Sequence, residues 1–437
     1  MKLASCVADR LELGPLVPGF AALVFAPIVL MAGCQDDGGT DADTSSAMTL
    51  AGETSGIPGG DGDGSGDGDG DPSGDGDGDA SGDGDGDPSG DGDGDPSGDG
   101  DGDPSGDGDG DPSGDGDGNP SGDGDGDGEP DVPVAPNGYY VEGNAIYDGN
   151  NQIHIFRGVD RPSLEWNPEG EGISEADFQL IAGWNANVVR IALNQGYWLE
   201  GSVVYDPGYK QRIDQVIAWS EAAGMDVILD LHWSDRGNLN QWPGQQRMAD
   251  QNSQTFWEQV ADRYKDDGRV FFELYNEPHD VPWDVWLSGG PSGDGFTVVG
   301  MQQLYDTVRA TGADNLVLVG GLRYAYELSG VPDHRVEGYN IVYTSHPYDF
   351  GDKQPNVWED DWGFLAETDP IFVTEFGSFN CNPWYSEQVI DYAEQRGMSW
   401  SAWAWYPGGC GFPALIDNWS GAASAVGQAV KTALEAN

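Results

Sequence analysis

The chain has 437 residues, with 77 Asp and Glu against 18 Lys and Arg, and a formal net charge of −59. So acidic a chain lacks the basic footprint that nucleic acid or an anionic membrane surface requires, and a polyanionic ligand would be repelled, which leaves a neutral one. The charge is uneven: residues 61–130 hold 26 acidic and no basic residues, leaving −33 elsewhere, so the chain has to be read in segments.

Residues 1–34 read as an export signal. Sparse charge (Lys2, Asp9, Arg10, Glu12) precedes an apolar run over 20–32 that contains Pro27, too short for the roughly 20 residues of a bilayer-spanning helix. The run LMAGC ending at Cys34 resembles the cleavage box of bacterial lipoproteins. On that resemblance Cys34 is lipidated and anchors the protein at the cell surface or outer membrane, the only membrane contact foreseen; the alternative is plain secretion. Both routes lead to an oxidising compartment.

Residues 35–130 are low complexity, built on a recurring PSGDGDGD unit. Aspartates that repel one another, spaced by glycine, cannot bury enough apolar surface to offset chain entropy, so a disordered tether is expected. Asp123, Asp125, Asp127 and Gly128 match the first half of a calcium loop. Its twelfth place is Val134, where a bidentate Glu is needed, so loose counter-ion binding is the better reading.

Residues 131–437 are long enough for one large domain. Short apolar, β-branched runs fall at 153–159, 187–193, 226–232, 270–277, 315–320, 341–346, 371–376 and 399–405. Helical patterns lie between or after them at 175–183, 209–223, 253–264, 298–311, 385–397 and 423–436. Eight strands alternating with helices, without a nucleotide-binding glycine-rich first turn, predict an α/β fold: a single (β/α)8 TIM barrel, monomeric.

Polar residues interrupt these runs at their C-terminal ends, where barrels of this kind carry their chemistry. Glu277 closes the fourth run and Glu375 sits in the seventh. Two carboxyl groups facing across one barrel mouth are what glycosidic cleavage needs, one to protonate the leaving oxygen and one to attack or stabilise the oxocarbenium-like carbon. Either glutamate alone could equally be a loop cap or an ion-pair partner. Of the four cysteines, Cys6 leaves with the signal and Cys34 is the lipid site, so Cys381 and Cys410 remain as a disulfide pair.

With these residues in place the chain resembles glycoside hydrolase family 5, the cellulase family. The motifs are VVRI at 188–191, LDLH at 229–232, NEP at 276–278, HPY at 346–348, TEFG at 374–377 and a Trp-rich eighth strand. The resemblance covers nearly all of 137–430. It implies a retaining double displacement with Glu277 as acid/base and Glu375 as nucleophile, the pair standing about 5–5.5 Å apart.

The resemblance further implies that Arg190 holds the nucleophile's carboxylate, that Asn276 binds the sugar 2-hydroxyl, and that His232, His346 and Tyr348 bind hydroxyls and tune the two acids. Trp403 fits the sugar-stacking platform, with Trp405 as second choice because alternation along a strand puts both on one face. Plainer readings stand beside these: a structural ion pair for Arg190, a turn residue for Asn276, core packing for at least one tryptophan. Six more tryptophans (Trp166, Trp198, Trp233, Trp242, Trp283, Trp286) fall near strand-exit loops, and two or three of them are expected to line the cleft. The histidines lack H-E-x-x-H spacing, so no metal is expected, and no cofactor is implied.

The activity these features imply is endo-hydrolysis of a neutral β-1,4-glucan. A β-mannanase within the same family is the alternative, and a non-catalytic surface carbohydrate-binding protein is the alternative of another class.

Overall fold

In the computed structural model the structure describes residues 132–437. The export signal, Cys34, the acidic tether and the half calcium loop at 123–128 lie outside the described residues.

Eight parallel strands close into a barrel: β1 (Arg157–Arg161), β2 (Val188–Asn194), β3 (Asp226–Trp233), β4 (Val270–Glu273), β5 (Val317–Gly320), β6 (Ile341–Thr344), β7 (Ile371–Val373) and β8 (Ser399–Ala402). Each pairs with the next, and β8 returns to β1 through the registers Trp400 with Arg157 and Ala402 with Val159. Six longer helices follow β1, β2, β3, β4, β7 and β8: α1 (Glu175–Ala182), α2 (Tyr209–Ala222), α3 (Gln251–Tyr264), α4 (Met301–Ala310), α5 (Trp384–Arg396) and α6 (Ala425–Glu435). After β5 and β6 the crossovers are made of one-turn pieces.

The alternation of side chains along each strand produces two cores. Outward-facing Val189, Ile191, Val227, Leu229, Phe272, Val319 and Tyr343 pack against the helices, while Phe156, Val188, Ile228, Phe271, Leu318, Val342 and Phe372 plug the barrel interior. Two residues further along, the inward positions become polar at Arg190, Asp230, Glu273, Thr344 and Thr374, and Asp160 and Ser401 join them from β1 and β8, all buried. An apolar floor under a polar layer thus fixes which end can bind a polar ligand.

Local chemistry sets the helix ends. Asp250 caps α3, accepting from the amides of Asn252 (2.8 Å) and Ser253 (3.2 Å), while the Ser253 hydroxyl accepts from the Asp250 amide, completing a capping box. This starts α3 two residues before the apolar periodicity does. Phe256, Trp257, Val260 and Tyr264 then repeat at helical spacing on its buried face.

Several strands are shorter than their apolar runs. β4 stops at Glu273, β6 at Thr344 and β7 at Val373, so Glu277, His346 and Glu375 stand just beyond strand ends. Backbone bonding continues past β4 nonetheless: the Leu274 amide donates to Leu318 at 3.0 Å and the Asn276 amide to Leu231 at 3.1 Å. Extended, β-rich sequence persists here while the ladder gives way to side-chain bonding.

Candidate active site

Arg190 is the centre of the polar layer. Fully buried on β2, its guanidinium donates through Nε to Glu273 Oε2 (2.5 Å), through Nη1 to Glu375 Oε1 (2.6 Å) and through Nη2 to Asn276 Oδ1 (2.8 Å). Asp230 Oδ2 lies 3.1 Å from Nη2. A planar fork with five donors can serve partners on β3, β4 and β7 at once, which a lysine cannot. Asp160, on β1 in register with Arg190, accepts from the Ser401 hydroxyl at 2.8 Å. Burial pushes its carboxyl well up, against the pull of Arg190.

Glu375 is buried, and each of its oxygens has a donor: Arg190 on Oε1, and the Tyr348 hydroxyl on Oε2 at 2.7 Å. Burial alone would raise its carboxyl. The cations of His346, Arg190 and His232, with the Tyr348 hydroxyl, outweigh it and hold the group below the usual carboxylate range. Glu375 is therefore an oriented carboxylate at neutral pH.

Glu277 differs. Its side chain is 20 % exposed, and it pairs with His346, with Nδ1 3.3 Å from Oε1. His346 also stands 3.7 Å from Glu375 Oε2, and its Nε2 lies 3.0 Å from the Thr374 hydroxyl, which in turn donates to Glu273 at 2.8 Å. Burial disfavours the imidazolium, but Glu375, Glu273 and Glu277 overcome this and push His346 up to about 10. One carboxylate oxygen each from Glu277 and Glu375 and one His346 nitrogen lie within 4.8 Å of one another. A cation brought to these three groups would meet the positive charges of Arg190 and His346, which the arrangement already holds.

His232 and Trp403 form the opposite wall. His232 Nδ1 lies 2.6 Å from Asp230 Oδ2, and its ring stacks on Trp403 with centroids 5.5 Å apart and planes 13° apart. Burial opposes its charge, Asp230 outweighs burial, and the ring is pushed up to about 9. Trp403 is 8 % exposed and also contacts Phe412.

Arg190, His232, Asn276, Glu277, His346, Tyr348, Glu375 and Trp403 thus gather at one barrel mouth. Trp405 does not join them. It is fully buried in the strand–helix core, its indole donating to Asp177 at 2.8 Å and its ring edge-on to Trp184. The alternation argument fails because β8 ends at Ala402, so no pleat carries through 403–405. Among the loop tryptophans, Trp198 and Trp286 are likewise core residues, with indole donors satisfied by Gln259 and the Gly320 carbonyl.

Other members of the site went unnoticed in the sequence. Gln245 bridges Asn276 (3.2 Å) and the Glu277 carbonyl (3.1 Å). Asp230 and Glu273 had a signal available: a carboxylate inside a fully buried strand must have a cationic partner. Tyr324 stacks on His279 beside Glu277 with centroids 4.2 Å apart, delivered by three successive left-handed residues, Arg323, Tyr324 and Ala325. The amides of Tyr324 and Ala325 both donate to the Pro278 carbonyl, which holds that turn. Cys381 and Cys410 are bonded, with Cα atoms 5.1 Å apart, and tie the loops after β7 and β8 together.

One paired, ionised carboxylate and one partly exposed carboxyl group at close range can carry out acid-assisted nucleophilic substitution. The family model described as cellulase (glycosyl hydrolase family 5) matches residues 147–409. The chain is similar to endoglucanase MaCel5A of a Microbulbifer species, at 28% identity over 290 residues covering 62% of this chain and 52% of that one. It also resembles endoglucanase N of Pectobacterium atrosepticum, at 24% identity, covering 62% and 58%. The chain spans about half the length of the curated relatives it matches. Among solved structures, the β-glucanase SdGluc5_26A of Saccharophagus degradans bound to cellotetraose superposes with a TM-score of 0.58 at 22% identity, over 69% of this chain and 94% of that one. The catalytic domain of Thermobifida fusca endoglucanase Cel5A gives 0.54 at 20% identity, over 68% and 97%. At those identities the superpositions speak for the barrel.

Proposed function

The chain belongs to the cellulase family, glycosyl hydrolase family 5, and from that premise we propose that it is an endo-acting β-1,4-glucanase that cleaves with retention of anomeric configuration. Glu375 attacks the anomeric carbon as nucleophile. Glu277 protonates the leaving oxygen and then deprotonates the incoming water.

The observation that carries this reading is the asymmetry of the pair. Glu375 is buried, doubly bonded and depressed, as a nucleophile must be; Glu277 is partly open, where it can exchange its proton with water between the two steps. Carboxylate oxygens within 4.8 Å support the close pair of a double displacement over the roughly 6.5–9.5 Å separation of an inverting enzyme. Asn276, fixed by Arg190 and Gln245, supports a contact to the 2-hydroxyl, and Trp403 supports a stacked sugar at the cleavage position. His346, charged at neutral pH, lowers the cost of two carboxylates at close quarters.

The matched relatives are named endoglucanases, and the neighbour bound to cellotetraose supports a glucan as the substrate. The apolar N-terminal run and Cys34 support export and lipid anchoring, checked by palmitate labelling that Cys34→Ser abolishes.

The test is reducing-sugar release from carboxymethylcellulose and from galactomannan by the full chain and by Glu375→Gln, with the first-formed anomer followed by NMR. The reading requires β-anomer from the glucan and none from the variant. An α-anomer formed first, or release from mannan alone, contradicts it.

A further inference from the structure

Eight large hydrophobic side chains are exposed among the described residues, and the six aromatic ones, Trp242, Tyr324, Phe350, Phe379, Trp384 and Trp419, all follow barrel strands on the side of the mouth. Two of them are joined to the cleavage site. The Phe379 ring lies 5.5 Å from Tyr348 at 25° and 5.5 Å from Phe350 at 33°, and Tyr348 is the residue whose hydroxyl holds Glu375.

Phe350 and Phe379 are 46% and 49% exposed, so each residue keeps nearly half of its surface in water. Core packing does not account for such rings, since withdrawing a phenyl from water stabilises by roughly 1.5–3 kcal/mol. The shelf they form is also rigid. The Asp349 carboxylate accepts from Gln354 at 2.9 Å and from Asn380 at 3.4 Å, and the Asp349 amide donates to the Gly377 carbonyl at 3.1 Å, locking the loops after β6 and β7 together. The Cys381–Cys410 bond ties the second of these loops to the loop after β8.

We propose that Phe350 and Phe379 form a stacking site for a pyranose ring of a β-glucan chain, continuous with the cleavage site through Tyr348. An all-equatorial pyranose presents C–H groups on its faces and hydroxyls around its rim. The half-exposed phenyls meet the faces, while Asp349, Gln354 and Asn380 at the shelf's edge meet the hydroxyls. Because the loops are already fixed, little ordering is lost when a sugar lands there. This inference rests on the hydrolase reading above.

The experiment is calorimetric titration of cellohexaose into the full chain carrying Glu375→Gln to prevent turnover, with Phe350→Ala and Phe379→Ala added together. The dissociation constant rises about tenfold, the equivalent of one good aromatic contact. Phe350→Leu with Phe379→Leu, apolar but not flat, weakens binding similarly and separates loss of stacking from loss of folding. Phe379→Tyr, which keeps a flat ring, retains the parent's affinity, and thermal midpoints stay with the parent. A double variant that binds within twofold of the parent, or a Leu pair indistinguishable from it, overturns the stacking site and leaves the hydrolase reading intact. A parent that binds no cellohexaose, from a wild type that releases no sugar from any β-glucan, overturns that reading and the site with it.

Discussion

Tyr348→Phe isolates one hydrogen bond to the proposed nucleophile. The hydroxyl donates to Glu375 Oε2 at 2.7 Å, while the ring keeps its stack on Phe379 and Arg190 keeps the other carboxylate oxygen. Burial and the neighbouring Glu375 push the Tyr348 phenol well up, so it remains a donor throughout the working range. A hydrogen bond to a charged group contributes about 1.5–3 kcal/mol. Removing one of the causes that hold Glu375 low raises its carboxyl, and because only the ionised form attacks, activity on the acid side is lost at a higher pH. At 1.36 kcal/mol per tenfold, the low end of that range moves the acid limb of kcat/KM upward by about one pH unit. The assay is the pH–rate profile with 2,4-dinitrophenyl β-cellobioside, whose leaving group needs little protonation, so the limb reports Glu375 and not Glu277. The same linkage acts on stability: a depressed carboxyl stabilises the fold above its unfolded value and loses that contribution as pH falls, so the variant's thermal midpoint drops more at pH 7 than at pH 3. An acid limb superimposable on the parent's, or one moved to lower pH, refutes the reasoning.

Arg190→Lys leaves at least two of Glu273, Glu375 and Asn276 without their donor, and a broken buried ion pair costs about 3–5 kcal/mol; a drop in melting temperature with kcat/KM down at least ~100-fold is expected, and a variant that melts with the parent contradicts the central role given to the guanidinium. Glu165 is buried and pushed up to about 7, with His232 and the Ser163 amide pulling the other way. Its raised carboxyl weakens the fold as pH climbs from the unfolded value towards 7, so Glu165→Gln, which still accepts from Ser163, gains melting temperature relative to the parent at pH 8 and not at pH 4.5. Trp403→Ala lowers kcat/KM of the folded enzyme at least about tenfold, whereas Trp405→Ala costs about 3–5 kcal/mol of stability as a core cavity and leaves the kinetics of the folded enzyme near the parent's; kinetics on the two variants, measured below their melting temperatures, decide the assignment, and the reverse kinetic pattern restores Trp405 to the site.

Strand count and the six long helices could be read from the sequence because each depends on a local pattern, period-two apolar runs and period-3.6 faces, and both glutamates stood out as carboxylates towards the C-terminal ends of apolar runs. The sequence pattern predicts helices alternating with all eight strands, whereas the crossovers after β5 and β6 hold only one-turn pieces. Trp405 was misplaced because alternation is a property of the pleat, and nothing in SAWAW at 401–405 marks where the pleat ends. Gln245 could not be found at all. It lies in a loop of the third crossover and reaches Asn276 and Glu277 only once the barrel is closed.

The deeper regularity lies in the inward positions of the strands, where apolar Val188, Ile228 and Phe271 give way two residues later to Arg190, Asp230 and Glu273. In a closed barrel these positions share a layer, so a buried arginine on β2 and buried acids on β3 and β4 become one network without any sequence proximity. A single cation cannot neutralise four buried carboxyl groups. The structure divides the burden, with Arg190 bonded to Glu273 and Glu375, Asp230 shared between Arg190 and His232, and Asp160 pushed up towards its neutral form. That division leaves Glu277 with no direct bond to Arg190 and joined to the network through His346, whose Nδ1 lies 3.3 Å from its carboxyl, at the open side of the mouth.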